Sequence, residues 1–328
     1  MQNKGTKWMG MIGYSFIVAW IVLILLDVLG ARLFWQEGRL IHLDSVHISP
    51  SFRALFFLGS DHLGRDLLGM LIEGAKVSLV IGICSALISL LVGFILGILS
   101  AMSKEGMIKI SIWTFLAWLI PFIVLLPILV FQSRWSTSIL VILLFLFVLS
   151  IILAKRIKAS PSPIHIYILS IVDIIQTVPF IVLLLIILPW FGQEYWQMTI
   201  VFGLFRWTYF YRIADETASR ILPLPYIQQT KLLGLKPIIG ILKHILPNIL
   251  PLLLGHLPYV ILGNILLEAT VSFFGFGFSP DRISWGAILA SSSHYLNFWW
   301  IPVFTSFAIA FTAMSFQWIG KSKVNEVL

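Results

Sequence analysis

Cysteine is nearly absent: Cys84 is the only one in 328 residues, so the chain can build neither an internal disulfide nor a thiolate metal cluster. Charge is scarce too, at 11% Asp, Glu, Lys and Arg against 59% hydrophobic residues and a mean hydropathy of +0.99. A soluble domain of that composition would leave far too much apolar surface in water. Nucleotide chemistry is missing as well, because no G-x-x-x-x-G-K-[ST] phosphate loop occurs. Gly320-Lys321-Ser322 mimics its tail, but Ser315 stands at the first-glycine position. G-x-S-x-G and H-E-x-x-H are also absent, which removes the commonest hydrolase constellations. The seven histidines show no H-x-x-x-H or Cys-paired spacing, so His42, His47, His62 and His294 read as surface residues and no metal is expected.

What the chain has is long apolar runs. With roughly 20 residues needed to cross a bilayer, spans fall near 9–31, 77–101, 110–132, 137–154, 167–190, 197–212, 246–270 and 298–319. The fold class is therefore all-α, a polytopic membrane protein. The run from Trp8 to Leu26 follows Lys4 and Lys7 as a signal peptide would, but Asp27 follows it instead of a small-residue cleavage site, so it reads as an uncleaved first helix. The net charge of +8 sits between apolar runs, which fits loops facing anionic headgroups better than nucleic acid. If the spans alternate, Lys4 and Lys7, Lys104 and Lys109, Lys155-Arg156-Lys158, Arg212 to Lys243, and Lys321 and Lys323 all land on one side. That side is the cytoplasm, and both termini share it. Tryptophans at span ends, among them Trp8, Trp35, Trp190, Trp196 and Trp300, read as interfacial anchors.

The segment 226–248, YIQQTKLLGLKPIIGILKHILPN, breaks this pattern on the cytoplasmic side. Pro223 and Pro225 stop the preceding helix and open a new one, Gly234 supplies a left-handed stop, and Lys236-Pro237 starts a second short helix. Two short helices meeting at a glycine make a knob that fits a groove on a cytoplasmic partner; an ordinary basic loop is the other reading of the same residues.

Four stretches together resemble the binding-protein-dependent ABC importer permeases, and within them the C-type subunit of the dipeptide, oligopeptide and nickel branch. In the coupling loop Gln228-Gln229-Thr230 stands at the family's E-A-A, Gly234 at its glycine, and His244-Ile245-Leu246-Pro247-Asn248 at the end of its "RHILPN". Gly59-Ser60-Asp61-His62-Leu63-Gly64-Arg65-Asp66 with Gly74-Ala75-Lys76-Val77-Ser78-Leu79 resembles "GTDxxGRDxxSRxxxGARxSL". Val172-Asp173 with Pro179, and Trp207 with Arg212, resemble "VDxxxxxP" and "WxxxxR". Glu268-Ala269-Thr270-Val271-Ser272-Phe273-Phe274-Gly275-Phe276-Gly277 with Ser284-Trp285-Gly286 resembles "EAALSFLGLG…SWG".

The resemblance implies a type I importer core of about six helices, with residues 1–76 as a first helix and extracytoplasmic segment and 77–328 as the transmembrane domain. Residues 103–164 have no counterpart in the usual pattern and read as an inserted two-helix hairpin, either lipid-facing ballast or a docking surface. It further implies a non-enzymatic subunit that binds no cofactor, with ATP and magnesium held by two separate ATP-binding subunits. A sister permease would complete a heterodimeric pore in the inner membrane, and an extracytoplasmic solute-binding protein would deliver di- or oligopeptides. Nickel or a metal chelate is the alternative cargo, and a secondary transporter or scaffold the alternative class. Contact with the ATPase would fall to Tyr226, Gln228, Gln229, Thr230, Leu233, Gly234, Lys236, His244 and Pro247. The neutral Gln228 replaces the family's carboxylate, so that contact would be a neutral hydrogen bond. Asp215 replaces a basic position after Arg212.

Arg206 and Glu268 lie at membrane depth, where an ionisable group marks a pathway or a paired structural site; they would pair with each other or line the route. Gly59, Asp61, Gly64, Arg65 and Asp66 form an outer motif, either an intrachain salt-bridge knot or part of the dock for the binding protein. Pro247, Pro251 and Pro258 are expected to interrupt the helix after the coupling loop.

Overall fold

The computed structural model describes residues 4–31, 35–51, 56–106, 109–110, 148, 162–191, 194–232, 240–278, 282–295 and 297–327. Of the spans expected at 110–132 and 137–154, all but residues 110 and 148 lie outside these residues. Nine helices are described here: α1 Lys4–Val28, α2 Leu67–Lys104, α3 Ile164–Thr177, α4 Phe180–Phe191, α5 Tyr195–Ile221, α6 Pro225–Leu232, α7 Leu246–Phe273, α8 Trp285–Ser292 and α9 Trp300–Val327. The described strands are two-residue pieces, β1 Lys109–Ile110 against β2 Ser162–Pro163. Four helical segments are long and apolar enough to cross a bilayer, Gly5–Val28, Leu67–Lys104, Lys243–Phe273 and Trp300–Glu326. The chain is an all-α polytopic membrane protein.

Two compact units divide it: residues 1–87, 193–203 and 254–328, and residues 88–192 and 204–253. In the first unit α1 runs antiparallel to α9. Gly10 and Gly13 let the backbones close up, since a Cβ at Gly13 would lie 2.6 Å from the Ser315 carbonyl oxygen. The Trp20 indole N–H donates to Thr312 Oγ1 at 2.9 Å, and Phe16 stacks on Phe311 at 5.5 Å. Small residues at the seam with one hydrogen bond across it are how helices associate where lipid removes the hydrophobic drive. Only 11% of the α1 span is buried, so its remaining apolar face suits acyl chains.

Helix α2 begins ten residues before its expected start and passes unbroken through the boundary expected at 76/77. At 1.5 Å per residue it is about 57 Å long, well beyond an approximately 30 Å hydrocarbon layer. The charges that hid its outer turns from a hydropathy reading are neutralised locally: Lys76 Nζ lies 2.7 Å from Asp27 Oδ2 and 3.2 Å from Glu73 Oε2, and the Trp35 indole N–H donates to Asp27 Oδ1 at 3.1 Å.

In the second unit the inner part of α2 packs on α5. Cβ atoms at Gly93 and Gly97 would come within 2.6 Å of Trp207 O and Ala214 Cβ. Ile164, Ile168 and Val172 of α3 complete a core with Trp207 and Tyr211. The span expected as one helix over 167–190 is instead broken, with α3 and α4 meeting at 87°. Val178 is extended (φ −90°, ψ 131°) because it precedes Pro179, and the proline has no N–H to continue the ladder. Pro251 and Pro258 do not break α7, which runs on to Phe273, whereas the turn just before Pro247, Ile241–Ile245, is π-helical, as suits a proline with no N–H to give to the ladder.

Candidate functional site

The outer motif closes on itself. Asp61, 1% exposed, accepts from the backbone N–H groups of Leu63 at 2.9 Å and Arg65 at 2.8 Å, and grips the Arg65 guanidinium through Nε at 2.8 Å and NH2 at 2.6 Å. Both guanidinium contacts converge on Oδ2 while Oδ1 takes the two backbone N–H groups, and such charge-assisted bonds are stronger than neutral ones. Gly59 and Gly64 make the turn possible at φ +88° and +71°; a Cβ at Gly64 would fall 1.8 Å from the His42 carbonyl oxygen. Asp66 caps α2 by accepting from Leu68 N at 3.3 Å and Gly69 N at 3.4 Å, and ties in Gln36 N at 2.8 Å. Burial pushes its carboxyl up to about 6 against the downward pull of those three N–H groups. His62 stacks on Tyr295 and His47 on Phe298, fastening the segment to the chain after α8.

Glu268 is fully buried on α7. Ser78 Oγ donates to its Oε2 at 2.7 Å and Ser272 Oγ to its Oε1 at 2.8 Å. Beneath it α8 is capped by Ser284, whose hydroxyl accepts from Ala287 N at 3.2 Å, and Trp285 donates its indole N–H to Leu71 O at 3.0 Å. The Glu268-to-Gly286 stretch thus works as one packed corner, with Gly286 close against Ala269.

Arg206 lies in the other unit, with its guanidinium 5.9 Å from the centre of the Phe180 ring. Each is held within its own unit: serine hydroxyls hold Glu268, and the Phe180 ring lies against Arg206. Along the same helix, Trp207 joins Val172 in the core and Arg212 reaches Gln176 Oε1 at 2.5 Å and Asp173 at 3.9 Å. The two short motifs around Val172-Asp173 and Trp207-Arg212 therefore meet face to face. Lys104 Nζ binds Asp215 Oδ2 at 2.5 Å, and Ser100 Oγ lies 3.0 Å from the Tyr211 hydroxyl. This pair went unforeseen, although Asp215 at a family-basic position was the signal for it.

The segment 226–248, expected to contact the ATPase, is described at both ends. Pro225 opens α6, Ile227 is buried, and Gln229 is exposed. Leu233, Gly234 and Lys236 lie outside the described residues, as do the side chains of Gln228 and Thr230. Where a second short helix is expected, the chain is already helical at residue 240 and passes through a π-helical turn, Ile241–Ile245, straight into α7. Ile245 and Ile249 are buried, Pro247 is exposed, and the Tyr226 and His244 rings stand edge-to-face at 5.7 Å, which brings the two ends of the segment together.

Long apolar helices, tight small-residue seams and a broken span define a polytopic helical membrane protein. The family model described as binding-protein-dependent transport system inner membrane component matches residues 147–321, starting inside the segment expected to be an insertion. A putative peptide transport system permease of Brucella suis biovar 1 is 30% identical over 306 residues, covering 92% of this chain and 83% of the relative. The oligopeptide transport system permease protein OppC of Haemophilus influenzae is 24% identical over 273 residues, 83% of this chain and 70% of its own. The chain belongs to the binding-protein-dependent transport system inner membrane component family.

Proposed function

We propose that this chain is the transmembrane permease subunit of an ATP-driven importer of di- and oligopeptides, fed by an extracytoplasmic solute-binding protein. The observation that carries the reading is the folded-back coupling segment, whose ends meet at Tyr226 and His244. The described ends are anchored by the buried Ile227 and Ile245 at the start of α7, which suits them to pass force into that helix. Closure of nucleotide-bearing partners against the segment tilts the helix behind it, and a tilting helix exposes a path alternately to each side. The ATP is hydrolysed on two separate subunits, a sister permease completes the pore, and both termini lie in the cytoplasm, in keeping with the distribution of basic residues. Peptide cargo is supported by the names of the relatives, a putative peptide transport system permease and an oligopeptide transport system permease.

The segment 103–164 is an inserted hairpin in this reading. Its stem supports that: β1 pairs antiparallel with β2, and His165 N lies 3.4 Å from Ser103 Oγ, so the chain returns where it left. Two added crossings cancel and leave the downstream orientation unchanged.

In a strain lacking the chain, labelled peptide uptake should be lost and restored by the intact gene. Gly234→Pro should abolish uptake while membrane insertion stays normal. Full uptake in that variant contradicts the coupling role, and uptake of nickel in place of peptides contradicts the cargo.

A further inference from the structure

Arg206 is the twelfth of 27 residues in α5. The helix opens with Tyr195 and Trp196, side chains that settle at the headgroup boundary. At 1.5 Å per residue the arginine then stands about 17 Å along the helix from Tyr195, inside the stretch 197–212 that the sequence marks as a span. A guanidinium at that depth requires a counter-charge or a wet cavity. The carboxylates of its own unit are engaged or placed elsewhere: Asp215 on Lys104, Glu216 on Arg220, Asp173 beside Arg212, and Glu105 on the exposed turn after α2. Arg206 Nε is buried and has no hydrogen-bond partner among the described residues.

A second feature points the same way. Phe180, the ring beneath the guanidinium, opens α4 immediately after the 87° break, and Gln176 to Pro179 are exposed there. Irregular backbone at membrane depth is tolerated only where it is buried in protein or lines a water-filled cavity. The break and the arginine therefore mark one place, with Phe180 and Phe205, 6.2 Å apart, as its apolar wall. We infer that Arg206 is a substrate-contacting residue of the permease, whose planar fork takes the carboxylate of the passing solute, the free C-terminus of a peptide. The inference rests on the peptide-import reading above. Arginine suits the role because its charge is permanent and its paired N–H donors match a carboxylate.

The test compares uptake of labelled di-, tri- and tetrapeptides with that of the same peptides bearing C-terminal amides, in cells carrying the whole transporter. The binding protein is common to all arms, so the ratio of acid to amide uptake, taken again in Arg206→Gln, isolates the permease. Wild type should favour the acid, and Arg206→Gln should cut that preference by about tenfold or more, as loss of a charge-assisted hydrogen bond dictates. Equal loss for acid and amide assigns the counter-charge to a partner subunit or a lipid phosphate and overturns the inference. An unchanged ratio at normal membrane levels overturns it as well. If Arg206→Gln fails to accumulate, Arg206→Lys is read instead: a reduced preference supports the contact and an intact one refutes it. Uptake of neither series by wild type refutes the peptide reading itself, and this inference with it.

Discussion

Reversing the charge of Asp215 or Lys104 should destabilise the second unit, and reversing both should restore it. Nζ and Oδ2 are 2.5 Å apart, and the side chains are 34% and 13% exposed. At an effective dielectric of about 20 the gross attraction at that distance is about 6–7 kcal/mol. Most of it is offset by desolvation and by the lysine's remaining contact with water, which leaves a net of about 1–3 kcal/mol. Either single variant, Asp215→Lys or Lys104→Glu, replaces attraction with repulsion at a contact joining positions 111 residues apart. With a shift of about 2–4 °C per kcal/mol for a domain of some 200 residues, each should lower the unfolding midpoint in detergent by several degrees. The double variant rebuilds the pair in the opposite sense and should recover most of the loss. A double variant whose midpoint equals the sum of the two single losses would show no coupling. The pair would then be ornamental, and the reasoning that α2 is fastened to α5 by it would fall.

The seam beside that pair should be intolerant of bulk. Gly97→Val places atoms against Ala214 Cβ at 2.6 Å and against the backbone of Tyr211 and Asp215 at 2.9 Å. Backbone cannot yield as a side chain can, so a loss of about 1–3 kcal/mol is expected, read as a lower unfolding midpoint than in Gly97→Ala. An unchanged midpoint would contradict the close approach. At the outer motif, Asp66 binds its proton more tightly when folded, with its carboxyl raised to about 6. Its contribution to stability is therefore full below the unfolded carboxyl's range and is lost as pH rises through about 6. Asp66→Asn should remove that decline, so the gap in unfolding midpoint between variant and wild type should change between about pH 4 and 6. A gap that stays constant with pH would show that the cap is ionised throughout.

Particular residues show how far the sequence reaches. The Asp61–Arg65 pair was readable because its partners lie four residues apart, whereas the tie from Asp66 to Gln36, 30 residues away, leaves no local sign. The four long apolar segments were readable too, since hydropathy sums over a local window. The outer turns of α2 escaped that window because Glu73 and Lys76 look too polar to continue a span. Their neutralising partner, Asp27, lies 49 residues away from Lys76. The break at Val178-Pro179 left a clear local sign in Pro179, yet whether a proline bends, breaks or merely opens a helix depends on what surrounds it. Pro251 and Pro258, in a helix that stays whole, make the contrast within one chain.

By itself the sequence determined that this chain lives in a bilayer and which family its motifs belong to, because each follows from residues close together along the chain. Only the tertiary structure decided that Glu268 is held by the hydroxyls of Ser78 and Ser272, that Lys104 closes on Asp215, and that Val172-Asp173 meets Trp207-Arg212. Those choices are made among distant side chains competing for the same partners, and the winner is set by which helices the glycine seams allow to come close.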